Sequence, residues 1–173
     1  MLIGKKVYLR TLEPQDADQL LYWENDPENW KVSNTIVPFS RELIQQYVNS
    51  AQDIYAVKQI RFMICSTDTK KSVGAIDLFD FDPRHQRMGI GILIDKNERQ
   101  NGYASEALEL VEVYALDQIG IRNLYCNILE DNQDSIRLFE QAGFVKIGHK
   151  KNWFNHSGKW LDELMFQKEL VAH

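Results

Sequence analysis

Met88-Gly89-Ile90-Gly91-Ile92-Leu93-Ile94-Asp95 is followed, after Lys96-Asn97-Glu98, by Arg99-Gln100-Asn101-Gly102-Tyr103-Ala104. The first stretch has the almost unbroken apolar character of a strand inside a sheet. The second reads as a polar turn that opens a helix on Gly, Tyr and Ala. A helix start presents N–H groups without intrahelical partners and the positive end of the helix dipole, so it attracts phosphate. Gly102 and Ala104 carry little side chain there, which lets an anion approach the backbone. The spacing Arg-x-x-Gly-x-Ala therefore suits a cofactor that bears a pyrophosphate.

Reading outward, Lys6 to Leu12 alternates like a strand. Glu13-Pro14-Gln15-Asp16 opens a helix with Ala17, Leu20, Leu21 and Trp23 at helical spacing, and Asn25-Asp26-Pro27 ends it. Residues 28–39 read as loop. Ser40 caps a second helix with Leu43, Ile44, Tyr47 and Val48 on one face. Three antiparallel-type strands follow: Ile60–Ser66, Val73–Phe79 and Arg87–Ile94. The helix from Gly102 to about Gln118 carries the stripe Ala104, Ala107, Leu108, Val111 and Ala115, and Gly120 ends it. Asn123–Leu129 is a strand, and Asn132 caps a short helix that Gly143 stops. Phe144–Ile147 begins a strand that continues toward Trp153. Asn155-His156-Ser157-Gly158 turns, and Lys159–Glu169 is the last strand. Helices on a mixed sheet are the expected outcome. No repeat or linker interrupts the chain, so one domain over residues 1–173 is expected.

The 173 residues are 44% apolar and 26% charged, a balance that suits a globular chain with a sizeable core. A formal net charge of −5 argues against nucleic acid or an anionic membrane as partner, since both favour basic surfaces. No apolar run approaches the roughly 20 residues of a membrane span. Met1-Leu2-Ile3-Gly4-Lys5-Lys6 lacks the order of a signal peptide, so a cytoplasmic location is expected. Cys65 and Cys126 read as reduced, buried thiols. With no His spaced to help them, no metal site is expected.

Two separate motifs now carry a resemblance. Arg99-Gln100-Asn101-Gly102-Tyr103-Ala104 resembles the acetyl-CoA loop of the GNAT N-acetyltransferase superfamily, and Ser105-Glu106-Ala107-Leu108 continues it. Glu130-Asp131-Asn132-Gln133-Asp134-Ser135-Ile136-Arg137-Leu138-Phe139-Glu140-Gln141-Ala142-Gly143-Phe144 resembles the second signature, and Val7 to Glu13 a typical opening. Two motifs in order on the right elements are specific where one would be weak. Within the superfamily the chain is most similar to the bacterial group of spermidine/diamine and ribosomal-protein N-terminal acetyltransferases. The resemblance implies the α/β GNAT fold: a mixed, mostly antiparallel sheet of about seven strands with splayed central strands, flanked by about four helices.

The resemblance also implies a set of roles. Backbone N–H groups from Gln100, Asn101, Gly102, Tyr103 and Ala104 would wrap the pyrophosphate of acetyl-CoA, with Arg99 adding charge. Ile92, Leu93 and Ile94 would lie along the pantetheine arm. An N–H near Leu93 would stabilise the tetrahedral oxyanion. Asn132 and Ser135 would hold the cofactor from the other side, although Asn132 also reads as a plain helix cap. Phe139 stands where many members have a tyrosine that protonates the leaving thiolate, and Phe cannot donate a proton. An amine nucleophile must shed a proton. Asp77 is the candidate base because it interrupts the apolar series Val73, Ala75, Ile76, Leu78, and it is a candidate substrate contact as well. Asp80, Asp82 and His85 read as solvated turn residues.

Glu24, Asp26 and Glu28 beside Trp30 suit an ammonium group, which makes Glu24 and Trp30 candidate substrate residues. Trp153, Phe154, His156 and Trp160 suit a pocket or a subunit interface, and a homodimer or larger homo-oligomer is expected. The resemblance implies acetyl transfer from acetyl-CoA to a primary amine, with a small polyamine or diamine, a protein N-terminus or an amino sugar as the expected acceptor. A non-catalytic acyl-CoA sensor is the competing class, kept open by Phe139. A dinucleotide-binding fold is disfavoured, because no Gly-x-Gly-x-x-Gly follows the first strand.

Overall fold

In the computed structural model, which describes residues 1–33, 35–50 and 53–171, the strand-like segments join in one sheet. Its strands are β1 (Leu2–Ile3), β2 (Val7–Thr11), β3 (Ile60–Ser66), β4 (Ser72–Asp82), β5 (Arg87–Ile94), β6 (Asn123–Leu129), β7 (Val145–His156) and β8 (Lys159–Glu169). They lie in the order β1-β2-β3-β4-β5-β6-β8-β7. Every neighbouring pair is antiparallel except β5 and β6, which are parallel. The helices are α1 (Ala17–Glu24), α2 (Pro27–Ser33), α3 (Arg41–Asn49), α4 (Ile54–Val57), α5 (Tyr103–Tyr114) and α6 (Gln133–Gln141). The chain forms two compact units, Met1–Thr11 with Asp53–His173, and Leu12–Gln52. The sheet and α4 to α6 belong to the first, α1 to α3 to the second.

Residues opposite one another on neighbouring strands share a face. The row Ile76–Ile92 and the row Leu78–Ile90 therefore face one way, with Phe62 and Ile64 of β3. Fully buried Ala107, Leu108 and Val111 of α5 complete this core, and Ile136 and Phe139 of α6 extend it. The other face carries the rows Arg61–Asp77–Gly91 and Met63–Ala75–Leu93. Both cysteines are free and buried, and burial pushes the Cys126 thiol up to about 12.

In the Leu12–Gln52 unit, Glu13 and Asp16 form the reciprocal cap before α1, which buries Ala17, Leu20 and Trp23. Ser40 Oγ accepts the Leu43 N–H at 3.2 Å, the expected cap of α3. Its apolar face is narrower than expected, for Ile44 and Val48 are buried while Leu43 is half exposed.

Several elements differ from expectation. Residues 28–39 are not all loop, since α2 occupies Pro27–Ser33. Asp26 caps it: its Oδ1 accepts the Glu28 N–H at 3.0 Å and its carbonyl the Asn29 N–H at 2.9 Å. Local capping here outweighs a composition poor in helix formers. Residue 34, in the same stretch, lies outside the described residues. Among the described residues, α2 and the short α4 raise the helices to six, and the short β1 raises the strands to eight. The long helix stays α-helical only to Tyr114, then makes one wider turn over Ala115–Ile119 before Gly120 ends it. β7 runs on to His156 through a bulge at residues 150–154. Asp162 of β8 fills that bulge, accepting the Asn152 N–H at 2.8 Å and the Lys151 ammonium at 2.7 Å. The ammonium chiefly, with that N–H, holds the Asp162 carboxyl far below the usual carboxylate range.

Lys168 of β8 ties two helices to the sheet. Its ammonium donates to Glu112 Oε2 and to the Ala142 carbonyl, both at 2.6 Å. Burial pushes the Glu112 carboxyl up, against the pull of Lys168. Without the lysine a half-buried carboxylate loses its counter-charge. Lys168→Met is expected to lower the unfolding free energy by about 3 kcal/mol, read from the urea midpoint. Adding Glu112→Gln should recover part of that loss.

Candidate active site

β5 and β6 pair only over Arg87–Asn123, Met88–Leu124 and Gly89–Tyr125, although β5 continues to Ile94 and β6 to Leu129. Each strand keeps its other neighbour throughout: β4 follows β5 to Ile94, and β8 follows β6 to Leu129. The two inner edges therefore part without either strand losing its place in the sheet.

Hydrogen bonds fix which groups line the opening. The Asp95 N–H donates to Val73 O on the β4 side at 2.9 Å, and Gln86 O accepts the Asn123 N–H on the β6 side at 3.0 Å. Strand alternation then turns the backbone of Gly91 and Leu93 to β4, and that of Ile90, Ile92 and Ile94 to the β6 side. The N–H expected at Leu93 is thus engaged with β4. Ile92 and Ile94 present the open edge, and both are only partly buried.

At the end of β5, Asp95 caps a short 3-10 turn over Lys96–Glu98. Gly102 caps α5 with φ 78°, a left-handed conformation that favours glycine, and no side chain caps the helix. The Arg99 Nε donates to Ile94 O at 3.3 Å. Two neighbours of this loop are not evident from its motif. The Lys6 ammonium donates to Asn101 O at 3.1 Å and would lie 2.9 Å from a Cβ at Gly102. Glu106, in the first turn of α5, accepts the N–H groups of Lys5 at 2.9 Å and of Lys6 and Val7 at 2.7 Å each. This carboxylate holds the Lys5–Val7 backbone, and with it Lys6, against the loop.

Across the opening, Asn132 Oδ1 accepts the Ser135 N–H at 3.3 Å, the plain cap of α6. Phe139 is 3% exposed and packs edge-on against Phe144, with ring centroids 5.0 Å apart.

Asp77 stands on the sheet face away from α5, in register with Gly91. It is not alone. Arg61 Nε donates to its Oδ1 at 2.5 Å and a second guanidinium nitrogen to Oδ2 at 2.9 Å, a two-pronged pair. Below it, Phe79 lies over Gly89, where a Cβ would meet the ring at 2.2 Å. Phe79 reaches the Tyr125 ring edge-on. Tyr125 donates to Asp80 Oδ2 at 2.8 Å; burial first and this carboxylate second push its hydroxyl up to about 12. Asp80 is therefore not a plain solvated turn residue. A bulge at Phe79–Asp82, with Asp80 at φ 52°, turns it to the tyrosine.

Glu24 and Trp30 belong to the Leu12–Gln52 unit, where the Trp30 indole N–H donates to Glu24 O at 2.9 Å. On the β7–β8 hairpin, Trp153 and Trp160 are exposed, and the Lys150 ammonium lies 5.1 Å from the Trp153 ring centre. Among the described residues, no cluster of His, Cys, Asp and Glu could hold a metal, and no helix is long and apolar enough to cross a membrane.

The sheet's two parallel strands thus part beside a glycine-capped helix. The family model described as an acetyltransferase (GNAT) domain matches residues 6–145, and the chain belongs to this GNAT family. It is an acetyltransferase of the acetyl-CoA-dependent class. It is 28% identical to an uncharacterized N-acetyltransferase of Bacillus licheniformis, p20, over 95% of this chain and 93% of the relative. In fold it matches spermidine N-acetyltransferase from Vibrio cholerae in complex with CoA and spermine, with a TM-score of 0.87 at 19% identity, over 96% of this chain and 97% of that one. A dodecameric structure of the Vibrio cholerae enzyme matches with a TM-score of 0.80 at 20% identity, over 96% and 95%.

Burial alone would raise the Glu106 carboxyl, but its three backbone N–H donors and the Lys6 charge bring it below the ordinary value of 4.5. A carboxyl depressed in the native state stabilises the fold above its unfolded value, and that gain is lost as pH falls through the depressed value. Glu106→Gln is expected to cost about 1 kcal/mol at neutral pH, the scale of solvent-screened charged hydrogen bonds. In urea titrations the gap to wild type should close as pH falls below the glutamate range.

Proposed function

We propose that the chain moves an acetyl group from acetyl-CoA to a primary amine by direct attack on the thioester. The parted β5–β6 edge carries this reading. The Ile92 N–H and carbonyl and the Ile94 N–H face the open edge, while the Ile94 carbonyl accepts from Arg99. An extended arm with amide groups would pair with that edge as an added strand does. The pantetheine of acetyl-CoA is such an arm. Its pyrophosphate would meet the N–H groups from Gln100 to Ala104, with Arg99 adjacent. Leu93 would pack along the arm through its side chain, while the open-edge N–H of Ile92 or Ile94 stabilises the oxyanion. Asn132 and Ser135 would hold the cofactor from the α6 side, and Phe139 would bound the site as an apolar wall. Phe139 has no proton to give, so the thiolate leaves unassisted, as a thiol of ordinary pKa about 8.5 allows. Asp77 would take the amine's proton through water.

The likeness in fold to the spermidine N-acetyltransferase supports a polyamine or diamine as acceptor. Glu24 and Trp30 are proposed to engage its ammonium group. The dodecameric relative supports assembly into a homodimer or larger ring.

Two measurements test this reading. Titration calorimetry should show acetyl-CoA binding that Gly102→Val weakens at least about tenfold, since a β-branched residue is strained by roughly 1–2 kcal/mol at a left-handed position. Unchanged affinity in a folded variant would contradict the loop's role. Thiol release should saturate with spermidine or a diamine. Binding of acetyl-CoA without release on any amine, peptide N-termini included, would favour a sensor.

A further inference from the structure

We propose that Arg61 is the positioning residue of this site, fixing the Asp77 carboxylate on β4, one strand in from the opening and in register with Gly91, so that it takes the attacking amine's proton. The inference rests on the acetyl-transfer reading above.

Arg61, Asp77 and Gly91 form one row across β3, β4 and β5 on the face away from α5. Gly91 lies two residues past the last paired position, Gly89, where the opening begins. It has no side chain, so none stands between Asp77 and the β5 edge in that row. The carboxylate and guanidinium are only 23% and 17% exposed, which holds the pair together against solvent. The next row on this face, toward the C-terminal end of β5, is apolar: Met63, Ala75 and Leu93.

A half-buried ion pair in such a setting gives little net stability over well-packed apolar residues, so stability alone does not account for it. Its geometry accounts for more. Two parallel N–H bonds fix both the plane and the direction of the carboxylate, which a single cation would not. Fixed direction matters at the moment of attack. The amine lone pair forms the N–C bond as the carbonyl π pair moves to oxygen. That pair returns as the C–S bond breaks and its electrons leave on sulfur. The surplus proton on nitrogen passes through water to Asp77 and then to solvent. Arg61 touches none of the reacting atoms and acts through Asp77.

A double-mutant cycle on the full chain tests this, with thiol release on the best amine of the panel as readout. Arg61→Gln should lower kcat/KM at least about tenfold, mostly in kcat, with acetyl-CoA affinity by calorimetry unchanged. In the Asp77→Asn background the same change should cost less than about twofold. Arg61→Lys keeps the charge without the fork and should fall between, again only when Asp77 is present; it serves if the glutamine variant fails to fold. An equal cost in both backgrounds, or no cost in the wild-type background, overturns the role of Arg61 while leaving the acetyl-transfer reading standing. A wild-type chain that releases no thiol with any amine overturns that reading and this inference with it.

Discussion

The parallel pairing of β5 with β6 stops at Gly89 and Tyr125, and the rest of the molecule is arranged around that stop. A strand inside a sheet normally spends both edges on neighbours. Here β4 and β8 each stay paired to the end, so the inner edges separate without loss of the outer ones. Among the described residues, the separation leaves the Ile92 N–H and carbonyl and the Ile94 N–H with no strand opposite, while the Ile94 carbonyl accepts from Arg99. Unpaired backbone groups are costly unless water or a ligand meets them. The same hydrogen-bond rules that build the sheet thus also shape the opening between β5 and β6.

Polar contacts around this opening do two kinds of work. At its upper end, the Glu106 carboxylate gathers three N–H groups and so brings Lys6 to the Gly102 turn, joining the start of the chain to the start of α5. At its root, Phe79, Tyr125 and Asp80 lock together over a glycine that gives the ring room. Between them, Arg61 and Asp77 face each other across neighbouring strands. The apolar core on the α5 side holds the strands in place, and the polar pairs on the other face set the directions of single groups.

The fold was legible where a periodic pattern met a strong local signal. The apolar run of β5, the stripe of α5 and the cap residues Ser40 and Asn132 all act within one element, so sequence spacing carries them. Local spacing does not reveal α2, whose Asp-Pro start also fits the end of the preceding helix, nor the bulges of β4 and β7, which strand alternation does not announce. At the site, the loop motif pointed to its own residues but not to Lys6, which lies 95 residues away from its partner Asn101. Asp77 stood out as a carboxylate among apolar residues, while Arg61 gave no signal because its partner is set by register.

By itself the sequence determined the family, the order of the main elements, the glycine-capped loop at Arg99–Ala104 and the identity of the residue at 139, for these are local or motif-borne. Tertiary structure decided which backbone groups are free, that Leu93 faces β4 while Ile92 and Ile94 face the opening, and that Asp77 is paired. The physical reason is parity. One residue of register exchanges every donor on a strand between its two edges, and register is set by neighbours far away in the chain.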